Sequence, residues 1–334
     1  MNPLTSVAIL GAGSLGTALA KLLAPKLESI VLVSIESVCV DGINQNHRNP
    51  KYLTSVELAP NVRATMDYRA ALAMPLVIFA VPSAAIRAEA EKLAALGLPA
   101  TTPLLSCAKG IERNTGERLS EILRDVFPSN PIGILTGPNH AEEIATDLVT
   151  CAVVASTNPP LAEALQDLFT LPHFRVYTSD DVAGVELGGA VKNVYAIAAG
   201  MAQGLGLGDN AVAALVTRAL AEMTRLGVAL GGNQETFAGL SGVGDLIVTC
   251  FSEHSRNHRV GLALGTGQTL EAAVAALGMV AEGVPNTLSI YEAARKAGVR
   301  TPIIDAVYSI LYQGKPALVA MRELLDRDPR PEIS

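Results

Sequence analysis

A lysine and an asparagine stand inside a mostly apolar segment near the middle of the chain. Lys192 and Asn193 follow Gly188 and Gly189, and apolar residues with helical spacing surround them. Burying a lysine is costly unless a counter-charge pairs with it or its amine takes part in chemistry. The two glycines would let another group come close. Lys192 is therefore the first candidate functional residue.

Two further polar segments follow apolar runs that predict strands. The segment SCAKG carries Lys109, and the segment GPNHA carries Gly137 and Asn139. Ligands of open α/β sheets bind at the carboxyl ends of the strands, so both segments are expected at one binding edge. Taken alone, the position of Lys109 favours a solvated loop lysine over a functional one.

Two polar clusters interrupt the second half of the chain. Asp245 follows the glycines of LSGVGDL, and Ser255, Arg256 and Asn257 are consecutive. The first cluster offers a carboxylate, and the second bundles three hydrogen-bond donors. Asp245 and Ser255 could instead cap helices, Ser255 at a helix that begins near residue 258.

The segment GAGSLG at residues 11–16 fits the dinucleotide-binding pattern GxGxxG. Gly11 permits a tight turn, Gly13 lets a pyrophosphate approach the backbone, and Gly16 lets the helix pack close to the strand. The segment follows a predicted strand, opens a predicted helix, and precedes the acidic Glu36 at the expected distance. This setting predicts dinucleotide binding.

The elements that must position these residues fall into two patterns. We predict strands at residues 7–10, 30–33, 76–81, 104–107, 132–135 and 151–155, with helices such as 17–27, 84–96 and 116–127 between them. Long helical segments then take over, at residues 185–204, 209–230, 258–264, 270–278, 285–297 and 303–312. The fold class is α/β: a doubly wound Rossmann-type parallel sheet at 1–185 followed by an all-helical domain at 186–334.

Composition excludes several classes of protein. The chain is 49% hydrophobic and 17% charged, with a net charge of −7, so intrinsic disorder and nucleic-acid binding are not expected. Neither a signal peptide nor a membrane span is predicted. The scattered cysteines predict reduced thiols and a cytoplasmic protein. His254 and His258 have the spacing of metal ligands, but no third ligand is evident, so we predict no metal.

Taken together, the motifs resemble the NAD(P)-dependent glycerol-3-phosphate dehydrogenases of the bacterial type. The resemblance spans nearly the whole chain, and its segments occur in the family's order and spacing. They are GAGSLGTALA, AVPS, SCAKGIE, LTGPNHAEEIA, GVELGGAVKNVYAIAAG, LSGVGDLIVTC, SRNHRVG and VAEGVPN.

The resemblance implies reversible hydride transfer that interconverts dihydroxyacetone phosphate and sn-glycerol 3-phosphate, and a supply of the latter for glycerophospholipid synthesis. It implies that Lys192 is the catalytic proton donor and acceptor, that Asp245 orients it, and that Lys109 is a second cation beside it. The implied substrate contacts are Lys109, Gly137, Asn139, Lys192, Asn193, Asp245, Ser255, Arg256 and Asn257. A homodimer is common in the family.

The cofactor implied by the resemblance is NAD or NADP. The positions that match or fit cofactor contacts are Gly11, Gly13, Ser14, Leu15, Gly16, Glu36, Lys109, Ala141, Arg256, Val280 and Glu282. Ile35 stands where the family often has arginine or histidine, and Asn139 where it usually has serine. Since Glu36 suits a ribose hydroxyl better than a phosphate, we predict that NADH is at least as good a cofactor as NADPH. His47, Arg48 or Lys51 could fold back and supply a cation for NADPH.

Two alternatives differ in testable features. The β-hydroxyacid dehydrogenases carry a GxxxGxxxKxxxN helix, whereas Lys192 and Asn193 are adjacent here. A nucleotide-binding sensor that had lost the chemistry is expected to lack Lys192 or Asp245, and both are present.

Overall fold

The computed structural model describes residues 4–326 and 331–332. Its first half contains an eight-stranded sheet with the order β3-β2-β1-β4-β5-β6-β7-β8. The strands are β1 (Ser6–Leu10), β2 (Ser29–Val33), β3 (Val62–Thr65), β4 (Val77–Phe79), β5 (Leu104–Ser106), β6 (Ile132–Thr136), β7 (Thr150–Ala155) and β8 (Phe174–Ser179).

Apolar side chains on both faces of the sheet explain why the strands read as continuous hydrophobic runs. Along β1, Val7 and Ile9 enter one hydrophobic cluster, whereas Ala8 and Leu10 enter another on the opposite face. The helices that cover these faces are α1 (Ser14–Leu23), α2 (Ser37–Asn46), α3 (Ile86–Ala95), α4 (Leu119–Val126), α5 (Ala141–Ala145) and α6 (Pro159–Phe169).

The second half is helical. Its helices are α7 (Val182–Gly204), α8 (Asp209–Ala229), α9 (Gln234–Phe237), α10 (Asp245–Phe251), α11 (Arg256–Gly265), α12 (Leu270–Leu277), α13 (Gly283–Lys296), α14 (Pro302–Gln313) and α15 (Ala317–Leu325). A π-helical turn, Leu240–Gly244, precedes α10. None of the helices in the described part of the chain is long and apolar enough to cross a membrane.

Helix α7 is the centre of this half, and nearly all of its residues are buried. It packs so closely against α11 that the backbones of the two helices are in contact. A Cβ at Gly200 would lie 2.1 Å from the carbonyl oxygen of His258, and a Cβ at Gly261 would lie 2.0 Å from that of Ile197. The two helices can therefore approach this closely only because both positions lack a side chain.

The predicted fold class is confirmed, and all six predicted strands are present. One feature of the prediction was wrong: β7 pairs antiparallel with β6, whereas every other neighbouring pair is parallel. A parallel partner needs a crossover that returns along the full strand. The five-residue helix α5 rises only about 7 Å, too little for that return, so the chain re-enters the sheet from the same edge.

Two strands and several helices were not predicted. Strands β3 and β8 alternate buried and exposed residues and lie at the two edges of the sheet, so they lack the apolar runs used to find the others. The unpredicted helices are α2, α5, α6, α9, α10 and α15. Helix α4 begins at Leu119 rather than at residue 116. The division at 185/186 falls within α7 and stays a prediction.

Candidate active site

Lys192 lies about midway along α7 and is 3% exposed. Its Nζ donates to Oδ1 of Asp245, the first residue of α10, in a short hydrogen bond. The same ammonium donates to Oγ1 of Thr249 at 2.7 Å. The buried lysine thus has both a counter-charge and a neutral acceptor, which is what its burial requires.

Lys109 reaches the same carboxylate from the sheet. Its Nζ donates to Asp245 Oδ2 at 2.9 Å, to Asn139 Oδ1 at 2.7 Å and to the carbonyl oxygen of Gly137 at 3.0 Å. Lys109 follows β5, and Gly137 and Asn139 follow β6, so these residues meet at one edge of the sheet. One carboxylate therefore serves two lysines. The contacts therefore do not fit the two alternatives, that Lys109 is a solvated loop lysine and that Asp245 serves as a helix cap.

Burial makes Lys192 easy to deprotonate in spite of the shared carboxylate. Burial lowers the pKa of Lys192 to about 7, and the positive charge of Lys109 adds to this effect, although Asp245 opposes it. Burial alone would raise the pKa of Asp245, but Lys109 and Lys192 together hold it below its usual value. Near neutral pH, the cluster combines a stable carboxylate with an amine that can gain or lose a proton.

Glycines let α7 come this close to the sheet and to the turn before α10. A Cβ at Gly188 would lie 2.4 Å from the carbonyl oxygen of Ser241, and one at Gly189 would lie 2.6 Å from Oγ1 of Thr136. Ser241 belongs to the π-helical turn, and Thr136 ends β6. The predicted role of this glycine pair, a close approach beside Lys192, is confirmed.

A second group of predicted residues adjoins the lysine through Asn193. Asn257 donates from Nδ2 to Asn193 Oδ1 at 2.9 Å and accepts the N–H of Gly283 at 2.8 Å. The Oγ of Ser255 accepts the N–H of His258 at 3.2 Å and thereby caps α11. Its hydroxyl proton stays available to a ligand. Arg256 Nη1 donates to the carbonyl oxygen of Val280 at 2.9 Å.

The glycine-rich turn has the shape that a pyrophosphate needs. Gly11 has φ +100, and a Cβ there would lie 2.8 Å from the carbonyl oxygen of Ala80; one at Gly16 would lie 1.9 Å from that of Gly11. At Gly13 a Cβ would meet nothing within 4 Å, so this residue faces open space. Gly13 precedes α1, whose N-terminus has no side-chain cap. Free N–H groups beside an open glycine suit a phosphate.

Residues just before α13 contact the start of α1 and the loop after β4, beside the glycine-rich turn. The carboxylate of Glu282 accepts the N–H of Ser83 at 3.0 Å and, in a short bond, its hydroxyl. Met279 Sδ accepts the hydroxyl of Ser14 at 3.8 Å. Burial raises the pKa of Glu282. Of the remaining predicted cofactor residues, Leu15 packs on the core beneath the turn, Ala141 begins α5 and Val280 is half exposed.

Glu36, the residue just after Ile35 beyond β2, is paired. Its Oε2 accepts from Lys51 Nζ at 2.7 Å, and its Oε1 accepts from the hydroxyl of Tyr52 at 3.0 Å. These bonds, led by that of Lys51, hold the pKa of Glu36 below its usual value. Of the residues that could fold back to supply a cation, Lys51 lies on Glu36, whereas Arg48 pairs with Glu57 at 2.8 Å.

Two residues beside the cluster of Lys109, Lys192 and Asp245 were not predicted from the sequence. Thr249 stands four residues after Asp245, a spacing that places both on one face of α10. His140 lies beside the two lysines, and burial, together with Lys192 and Lys109, lowers its pKa to about 4. No group of three or more potential metal ligands occurs within residues 4–326 and 331–332.

Comparisons with known proteins agree along the whole chain. A family model described as NAD-dependent glycerol-3-phosphate dehydrogenase N-terminus matches residues 6–162, and its C-terminus counterpart matches residues 181–322. The glycerol-3-phosphate dehydrogenase (NAD(P)+) of Desulfitobacterium hafniense is 46% identical over 330 residues, which cover 99% of this chain and 94% of that protein. The Moorella thermoacetica enzyme of the same name is 47% identical over 329 residues, 98% of each chain.

Solved structures lead to the same family. The glycerol-3-phosphate dehydrogenase of Coxiella burnetii superposes with a TM-score of 0.94 at 39% identity, covering 97% of this chain and 99% of that one. The enzyme of Saccharomyces cerevisiae superposes with a TM-score of 0.84 at 28% identity, covering 98% and 100%. The chain belongs to the NAD(P)-dependent glycerol-3-phosphate dehydrogenase family.

Proposed function

We propose that this chain interconverts dihydroxyacetone phosphate and sn-glycerol 3-phosphate, with NADH or NADPH as the hydride donor. The observation that carries the proposal is the Lys192–Asp245–Lys109 cluster, which lies at the sheet edge where the dinucleotide turn also opens. The family's named activity requires these two things together: a cofactor site and a proton donor for a carbonyl oxygen.

The proton step falls to Lys192. When bound, the reduced nicotinamide supplies a hydride to C2 of the ketone. The Nζ of Lys192 donates a proton to the C2 oxygen, and in the reverse direction it accepts that proton from the alcohol. Its lowered pKa suits both directions near neutral pH. Asp245 holds the ammonium in position, and Lys109 adds positive charge where the oxygen becomes negative.

The polar cluster at the start of α11 is suited to the phosphate end of the substrate. Arg256 offers a partly exposed guanidinium, which can donate two parallel hydrogen bonds to phosphate oxygens. Ser255 and Asn257 add neutral donors on the same turn. Asn257 is bonded to Asn193, which adjoins Lys192, so phosphate binding here would position C2 near the proton donor.

The proposal is tested by following NAD(P)H oxidation with dihydroxyacetone phosphate and with unphosphorylated dihydroxyacetone. For 3-hydroxyisobutyrate-type alcohols, the reduction of NAD(P)+ is followed instead. Turnover should be fast with the phosphorylated triose and poor with the others. Preference for a β-hydroxyacid would assign the chain to the other group of dehydrogenases. Cofactor binding without turnover of any substrate would identify a sensor and contradict the proposal.

We further propose a cytoplasmic homodimer that supplies glycerol 3-phosphate for glycerophospholipid synthesis. The four free cysteines are compatible with a reducing compartment. Sedimentation of the purified protein tests the dimer, and a single monomeric species would contradict it. Deletion of the gene should make growth depend on added glycerol 3-phosphate.

A further inference from the structure

The loop after α2 is anchored to the dinucleotide turn by a buried asparagine. Asn49 is fully buried, and its Nδ2 donates to the carbonyl oxygen of Ala12 at 2.8 Å and to Oγ1 of Thr17 at 2.9 Å. Its Oδ1 accepts the backbone N–H groups of Lys51 and Tyr52, at 3.0 and 3.1 Å. The backbone of Lys51 is therefore held at a set position relative to the pyrophosphate turn.

The side chain of Lys51 is not held in the same way. It is 48% exposed, and of its contacts the ion pair with Glu36 is the principal one. Glu36 itself is 30% exposed, so both charged groups face solvent. An ion pair in such a place is weak and can exchange one partner for another at little cost.

Glu36 stands where the adenosine ribose of a dinucleotide is recognised. In this fold an acidic residue about twenty positions after the glycine turn accepts from the ribose 2′-hydroxyl, and a nearby cation accommodates the 2′-phosphate of NADP. Alone, the carboxylate would repel that phosphate. Lys51 lies 2.7 Å from the carboxylate and carries the charge that the phosphate requires.

We propose that Lys51 is the residue that admits NADP, by transferring its ammonium from Glu36 to the 2′-phosphate. With NAD, Lys51 stays on Glu36, whose carboxylate accepts the ribose hydroxyl. The Glu36–Lys51 pair thus lets one site accept both cofactors. Tyr52 keeps its hydrogen bond to Oε1 of Glu36 in either case. This inference rests on the proposed function only in assuming that the turn binds a dinucleotide.

The test is Lys51→Met, which keeps most of the length of the side chain and removes its charge. The matched control is Arg48→Met, because Arg48 is a cation of the same loop that is committed to Glu57 and the carbonyl oxygen of Ser55. Fluorescence titration measures the Kd of NADPH and of NADH for the complete chain. Turnover is measured separately, so a protein that binds cofactor but is inactive still tests this inference.

In Lys51→Met, the preference for NADH over NADPH should rise by about tenfold or more, because the variant loses the bond to a phosphate dianion and leaves the carboxylate of Glu36 unpaired beside it. The NADPH affinity of the wild type should also fall more steeply with salt than that of the variant. Arg48→Met should leave the preference within about twofold. An unchanged preference in Lys51→Met, or an equal change in Arg48→Met, would overturn the assignment.

Discussion

At the scale of single residues, the buried lysine ties the rate of the reaction to pH. In the proposed mechanism Lys192 is protonated to reduce the ketone and deprotonated to oxidise the alcohol, and burial lowers its pKa to about 7. We expect kcat/KM for reduction to fall as pH rises above about 7, and kcat/KM for oxidation to fall as pH drops below it.

The measurement is a pair of pH profiles, one for each direction, for the wild type and for Lys192→Met. The variant should lose about two orders of magnitude or more in kcat. It should also lack the fall in kcat/KM above about pH 7 for reduction and below about pH 7 for oxidation. Its cofactor affinity should be nearly unchanged, which shows that the protein is folded. If the variant keeps the same pH dependence, a group other than Lys192 is responsible for it.

At the scale of elements, the α7–α11 contact leaves no room for an added side chain. Gly200→Ala places a methyl group 2.1 Å from the backbone oxygen of His258, which cannot move without shifting α11. We expect a loss of about 2 kcal/mol or more in the free energy of unfolding, the range typical of overpacking. Chemical denaturation measures it.

Gly244→Ala is the matched control. Gly244 has helical dihedral angles, and a Cβ there would first meet Leu240 at 3.6 Å, an ordinary contact. Its effect should stay within about 0.5 kcal/mol. Similar losses at both positions would mean that the close crossing of the two helices is not the cause.

The elements also show where sequence reasoning works and where it stops. The apolar strands and the burial of Lys192 could be predicted because continuous apolar runs and apolar helical spacing indicate buried segments. The edge strands β3 and β8 could not, since their alternation is short and half polar. Likewise, Asp245 could be identified as a candidate, but its sharing between Lys109 and Lys192 depends on contacts between residues more than fifty positions apart.

At the scale of the whole molecule, a buried carboxylate makes stability depend on pH. Glu222 of α8 accepts the backbone N–H groups of Ile303 and Ile304 at the start of α14, at 3.1 and 3.0 Å. Burial raises its pKa to about 7. Because the pKa of Glu222 is higher in the folded state, its contribution to the free energy of unfolding is fully present below pH 4.5. That contribution is lost as the pH rises toward 7.

The expected loss across that range is at most about 3 kcal/mol. It is measured as the difference between the wild type and Glu222→Gln in free energy of unfolding at several pH values. The glutamine has one acceptor for two N–H groups, so it should be less stable at low pH and should approach the wild type near neutrality. A constant difference at all pH values would show that Glu222 does not titrate in this range.

The reversed strand β7 has a consequence for how far the chain must travel to place its lysine. Because β7 and β8 run opposite to the first six strands, β8 delivers the chain to the sheet edge that lies away from the dinucleotide turn, and α7 starts there. Ten residues of helix from Val182 to Lys192 rise about 15 Å, and a five-residue strand such as β6 spans about 16 Å. The first part of α7 therefore matches the length of the strands and returns the chain to the side of the sheet where the dinucleotide turn lies. One residue inserted before Lys192 would carry its amine 1.5 Å further and turn it by about 100°, away from Asp245.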